Sequence, residues 1–172
     1  MQFMNKVISS ADAVLQYQHL SLILEPGSIG WLFFHLQNRP VNVVNLAVLN
    51  DAEKILTELE KLVEDRRVKI VLLCSGKPGT FIAGADIDEM YPNIDLQKAI
   101  DASKSGQKIF NRIAKLKAVT IACINGPALG AGLELALACD YRVCSDNPKT
   151  QLGLPEVKLG LLPGAGGTLD LQ

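Results

Sequence analysis

Between Val119 and Thr168 the chain alternates strand, glycine turn and apolar helix in an order that few architectures accommodate. The run Val119-Thr-Ile-Ala-Cys-Ile-Asn125 is strand-like, and Gly126-Pro-Ala-Leu-Gly-Ala-Gly132 turns the chain. Leu133-Glu-Leu-Ala-Leu-Ala-Cys139 then reads as an apolar helix, because a strand would expose half of such a run. Gly153-Leu-Pro-Glu-Val-Lys-Leu-Gly160 leads into Leu161-Leu-Pro-Gly-Ala-Gly-Gly-Thr168. Glu134 and Glu156 each stand at the start of an expected helix among apolar neighbours, a placement suited to acid/base chemistry.

The upstream residues supply the rest of an α/β pattern. Residues 1–18 show no clear period and fit a short helix or a loosely held arm, so 1–19 reads as an N-terminal arm and 20–172 as the core. Leu20–Glu25 and Ile29–Leu36 are β-prone, and Pro26-Gly-Ser28 between them predicts a hairpin that ends before Asn38-Arg-Pro40. From Leu46 apolar residues recur at three and four through Val63, which predicts an amphipathic helix with Asn45 as its N-cap. Val68–Cys74 reads as a buried strand of a largely parallel sheet. Phe81-Ile-Ala83 reads as a short strand, and Gly84-Ala-Asp86 as a turn into a helix that Pro92 interrupts. A second amphipathic helix is expected from about Leu96 to Leu116. Strand and helix alternate throughout, with a loosely recurring β-β-α unit.

Composition excludes several classes. The chain has 172 residues, 17 Lys and Arg against 18 Asp and Glu, and a net charge of −1, with no basic stripe for nucleic acid or an anionic membrane. No apolar run is long enough to span a bilayer, and the first residues lack the apolar core of a secretory signal, so a cytoplasmic protein is expected. Cys74, Cys123, Cys139 and Cys144 contain no Cys-x-x-Cys pair, which argues against zinc and for buried free thiols in a reducing compartment.

The glycine turns fail as nucleotide loops. Pro78 follows Gly76-Lys77 where a phosphate-binding loop needs Ser or Thr, and Leu135 occupies the place of the last glycine in a dinucleotide fingerprint. Such turns can instead aim main-chain N–H groups at developing negative charge, and Ala85 and Ala131 are placed to do so. His19 and His35 lie outside the glycine loops, and His35 within an aromatic strand reads as a packing residue. The two glutamates remain. Each alone is explained by a favourable helix N-terminus. Burial beside Leu133, Leu135, Leu154 and Val157 would raise a carboxyl pKa, and two such groups across a cleft could activate water and deliver a proton.

Three motifs carry a family resemblance. Phe81-Ile-Ala-Gly-Ala-Asp-Ile-Asp-Glu-Met90, Asn125–Asp140 and Gly153–Thr168 resemble the signatures of the crotonase superfamily, specifically enoyl-CoA hydratases of the multifunctional fatty-acid oxidation type. The resemblance spans about Leu20 to Thr168. It implies a spiral of β-β-α repeats that binds an acyl-CoA thioester, with coenzyme A part of the substrate, no separate cofactor and no metal. It implies that Glu134 and Glu156 activate the water added to a trans-2-enoyl-CoA, and that the N–H groups of Ala85 and Ala131 bind the thioester oxygen. Ala83, Gly84, Asp86, Ile87 and Gly130 fall at substrate-binding positions. Ala131 departs from a glycine common there, which keeps the N–H but narrows the backbone options.

The family's catalytic domains continue for several helices that take part in assembly and close the acyl pocket, whereas this chain ends at Gln172. The expectation is a core incomplete at its C-terminus, lacking those helices and with the one after Gly166-Gly167-Thr168 cut short. A homo-oligomer follows from the resemblance, and self-association with weak turnover from the shortened chain. A Δ3,Δ2-isomerase, another crotonase-type enzyme, and a non-catalytic CoA-binding or assembly module are the alternatives.

Overall fold

The computed structural model describes residues 2–90 and 96–166. Pro92, and Thr168 with the helix expected to follow it, lie outside the described residues. Residues for which the sequence left helix or arm open form α1 (Gln2–Ser9) and β1 (Ala13–Gln16). β1 pairs antiparallel with β2 (Leu20–Glu25), which forms the expected hairpin with β3 (Ile29–Phe34). Gly27 and Ser28 take positive φ at the turn.

α2 (Leu46–Glu64) then crosses to β4 (Ile70–Ser75), parallel to β3. Its start is fixed by Asn45, whose Oδ1 accepts the Val48 N–H at 2.9 Å. The short α3 (Ile87–Met90) and the long α4 (Leu96–Ala114) lead to β5 (Val119–Ile124), again parallel. β6 (Ala128–Leu129) opens α5 (Ala131–Leu137), after which β7 (Tyr141–Cys144) closes a six-stranded sheet ordered β1-β2-β3-β4-β5-β7. β8 (Leu152–Gly153) pairs with β6 apart from the main sheet, and a 3₁₀ turn spans Pro155–Leu159.

One sheet face carries the main core. Leu20, Leu22, Leu32, Val71, Leu73, Ala122 and Ile124 meet Ile55, Leu56 and Leu59 of α2 and Ile109, Phe110 and Ile113 of α4. Truncating one of these leucines or isoleucines to alanine costs about 2–5 kcal/mol in a packed core. The second face is smaller: Met4 and Val7 of α1 lie on Ile23, Phe33 and Cys74.

Several expectations change. Phe81–Ala83 is not a strand but one bridge, Ile82 to Ala128. The Phe81 N–H goes to the Pro127 carbonyl and its carbonyl to Asn42, so no continuous ladder forms. Of the cysteines, Cys74 and Cys139 are buried, Cys123 is half-buried and Cys144 is exposed. Cys144 lies at the sheet edge, on a strand exposed along its whole length. Among the described residues no helix is long and apolar enough to cross a membrane.

Candidate active site

Two crossing loops build the site from main chain. The Val44 N–H bonds the Gly84 carbonyl at 2.8 Å and the Asp86 N–H bonds the Val44 carbonyl at 2.9 Å. These bonds flank Ala85 in a parallel bridge, so the N–H of Ala85 is directed away from residue 44. Ala131 is the first residue of α5, where the N–H has no acceptor within its helix. Ala85 is exposed and Ala131 half-buried. The loops touch: a Cβ on Gly130 would stand 3.7 Å from the Cα of Gly84. A Cβ on Gly132 would overlap the Ile82 carbonyl, so only glycine lets the start of α5 come this close.

Gly130 bears on both glutamates: it caps the helix that carries Glu134, and the Glu156 carboxyl packs against it. Glu134, in the first turn of α5, is 2 % exposed, and its Oε1 accepts the Ala165 N–H at 2.8 Å. Glu156 lies in the 3₁₀ turn, where Pro155 takes an opening position. Its Oε1 is 2.7 Å from where a Gly130 Cβ would be, a space open only because that residue is glycine with φ of 50°. Its Oε2 is buried with no hydrogen-bond partner among the described residues. Burial, and secondarily the Glu134 charge, push the Glu156 carboxyl above its ordinary range, against an opposing main-chain bond. Leu133 and Leu135 are buried and Leu154 half-buried, but Val157 is 78 % exposed: the 3₁₀ turn directs it outward, so it does not desolvate Glu156.

The remaining positions divide. The Ala83 N–H bonds the Asn42 carbonyl at 2.8 Å, Gly84 is buried at φ of 114°, and Ile87 is 47 % exposed. Asp86 is buried: its carboxylate pairs with Arg39 at 3.0 Å and accepts the Asp88 N–H at 3.1 Å, holding the entry to α3. Arg39 was not visible from sequence, nor was Asn42, whose side chain ties Leu36, Phe34, Ser75 and Phe81 together. Arg39 meets Asp86 and Asn42 meets Ser75 and Phe81 only across distant stretches of chain, and no local pattern marks them. The Ser21 hydroxyl lies 2.7 Å from Nε2 of His35, and Gln37 lies 3.2 Å from its Nδ1, a buried polar contact consistent with packing. No cluster of three metal-ligating side chains occurs among the described residues. A groove of about 640 Å³ lined by Val63, Val68, Leu116, Val119 and Tyr141 contains neither glutamate.

The model of the enoyl-CoA hydratase/isomerase family matches residues 30–172. The chain is 48 % identical over 143 residues to the fatty acid oxidation complex subunit alpha of Aliivibrio fischeri, covering 83 % of this chain and 20 % of that one. It is 54 % identical over 123 residues to the same subunit of Idiomarina loihiensis, covering 70 % and 17 %. A crystal structure of an enoyl-CoA hydratase from Bacillus anthracis matches with a TM-score of 0.79 and 32 % identity, covering 90 % of this chain and 57 % of that one. The chain thus spans about a fifth of the length of the curated relatives it matches.

Proposed function

Since the chain belongs to the enoyl-CoA hydratase/isomerase family, with a mixed α/β architecture matching crotonase-fold structures, we propose that it adds water across the double bond of a trans-2-enoyl-CoA in fatty-acid oxidation. The observation that carries this reading is the pair of glutamate carboxyls in unlike surroundings, that of Glu134 on the Ala165 N–H and that of Glu156 in the space that Gly130 leaves open. Glu134 is held in place by a main-chain N–H, and a carboxylate so oriented suits a base. Burial and the facing charge favour the protonated form of Glu156, which suits an acid.

The thioester oxygen accepts the Ala85 and Ala131 N–H groups, which withdraws electrons from the β-carbon. Water forms a bond to that carbon while Glu134 takes its proton, and the alkene electrons move to the thioester oxygen as an enolate. The enolate collapses as Glu156 delivers a proton to the α-carbon, giving the 3-hydroxyacyl thioester. Ala83, Gly84, Ile87 and Gly130 border the substrate, and the acyl-CoA thioester is the partner required. Assembly into a homo-oligomer and a cytoplasmic setting belong to the same proposal.

Crotonyl-CoA hydration by the wild type, Glu134→Gln and Glu156→Gln tests the reading. Each variant is expected to lose roughly 10²-fold in turnover, the scale of general acid/base assistance, while remaining folded because little volume changes. Near wild-type turnover in both would remove the glutamates from the mechanism. CoA binding without wild-type hydration would assign a binding module instead.

A further inference from the structure

We propose that Ser103 and Gln107 of α4 are positioning residues for Glu134, acting through the peptide unit between Gly164 and Ala165. The inference rests on the hydratase reading for its catalytic consequence. Its geometry stands independently.

The Gly164 carbonyl accepts the Ser103 hydroxyl at 2.6 Å and the Gln107 side-chain amide at 2.7 Å. Ser103 and Gln107 are one helical turn apart, so both reach the same point from one face of α4. Ser105, between them, spends its hydroxyl on the Asp101 carbonyl at 2.8 Å and takes no part. The Gln107 amide also lies 3.4 Å from the Ser103 oxygen, which links the two donors.

The peptide that carries this carbonyl also carries the N–H that holds Glu134 at 2.8 Å. A trans peptide is planar, and its C=O and N–H point in opposite directions. Holding the carbonyl with two donors therefore sets the direction of the N–H, and donors at the oxygen polarise the amide and strengthen its bond to the carboxylate. Small residues permit the approach. A Cβ on Gly106 would lie 3.8 Å from that of Ala165, and a Cβ on Gly164 would lie 3.2 Å from the Ser103 oxygen. Without the clamp residues 162–166 can rotate the Ala165 N–H off the carboxylate, and Glu134 loses the donor that orients it. Ser103 and Gln107 touch no reacting atom in this scheme; they fix the atom that fixes the base.

The test compares Ser103→Ala, Ser103→Thr, Gln107→Ala and the Ser103→Ala/Gln107→Ala double variant in the full chain. Two readouts are taken: kcat and KM for crotonyl-CoA, and hydrogen exchange of the Ala165 amide by NMR. One net hydrogen bond corresponds to up to about tenfold. The double variant is expected to lose about tenfold in kcat with KM within about twofold, to exchange Ala165 about tenfold faster, and to leave exchange in β4 and β5 unchanged. Ser103→Thr, which keeps the hydroxyl, should retain most of the wild-type kcat. Unchanged Ala165 exchange in the double variant overturns the proposal. So does faster exchange with unchanged kcat, and so does faster exchange spread over β4 and β5, which would show a merely structural role. Absence of hydration in the wild type would defeat the hydratase reading alone, and Ala165 exchange would still decide whether the clamp exists.

Discussion

Replacing Gly130 by alanine bears on both the backbone and Glu156, and the two effects separate. Gly130 has φ of 50° and ψ of −125°, a combination that residues with a Cβ avoid. Forcing alanine there costs about 1–3 kcal/mol. With a urea dependence of roughly 2 kcal/mol per molar, that lowers the unfolding midpoint by about 1 M. The new methyl would also stand 2.7 Å from Glu156 Oε1, so the carboxyl must retreat. A retreat of about 0.7–1 Å restores ordinary contact, and misplacement on this scale costs roughly tenfold or more in turnover. Gly153→Ala is the matched control. Its carbonyl accepts the Gly130 N–H at 2.9 Å, yet its added Cβ meets only Leu129 Cδ2, at 3.9 Å. Urea unfolding followed by far-ultraviolet dichroism reads the first effect, and crotonyl-CoA hydration the second. If Gly130→Ala matches Gly153→Ala in both, neither the backbone argument nor the contact argument survives.

Three further outcomes concern Glu156, His35 and the cysteines. The Glu156 carboxyl is pushed up by burial, so the folded state holds its proton more tightly than the unfolded chain and stability falls as pH rises from the ordinary carboxyl range through the raised value. Glu156→Gln should therefore raise the urea midpoint at pH 7 relative to wild type, with little effect at pH 4, and an equal effect at both would refute it. Burial lowers the His35 pKa below its ordinary 6.5, so the unfolded chain takes the proton first and stability is lost as pH falls below about 6.5. His35→Gln should flatten the midpoint's decline between pH 7 and 5, and an unchanged slope would assign that decline elsewhere. An aromatic disulfide reagent should label the exposed Cys144 first, while Cys139, pushed up to about 12 mainly by burial, should react only on unfolding; peptide mapping of the first modified thiol checks this.

What the sequence made legible was whatever it encodes locally. α2 follows from apolar spacing and one capping asparagine, and the β2–β3 hairpin from Pro26-Gly-Ser28 between apolar runs. The less legible parts depend on who lies next to whom. Tyr141–Cys144 has no inward and outward alternation to mark it as a strand, because both its faces are exposed at the sheet edge. Phe81–Ala83 has strand composition but only one bridge, since Asn42 and Pro127 take the bonds a ladder would use. At the candidate site, Glu134 and Glu156 stand out by the glycine and proline beside them. Asp86 shares a motif with Ala85 but turns inward to Arg39, and nothing within that motif distinguishes the two orientations.

The groups that position the candidate site are largely main chain, which explains why side-chain identity reveals so little of it. Five of the relevant atoms are peptide groups: the N–H of Ala85, Ala131 and Ala165, and the carbonyls of Gly84 and Gly164. A peptide group is the same at every non-proline residue, so its function is set by direction alone. The sequence controls direction indirectly, by omitting a Cβ where two loops must touch, as at Gly130 and Gly132. It also does so by placing a polar side chain on a distant helix where a carbonyl must be held, as at Ser103 and Gln107. The first device leaves glycine as a trace in the motif. The second leaves an ordinary serine and glutamine on an amphipathic helix, indistinguishable from solvent-facing residues until the fold brings Gly164 to them.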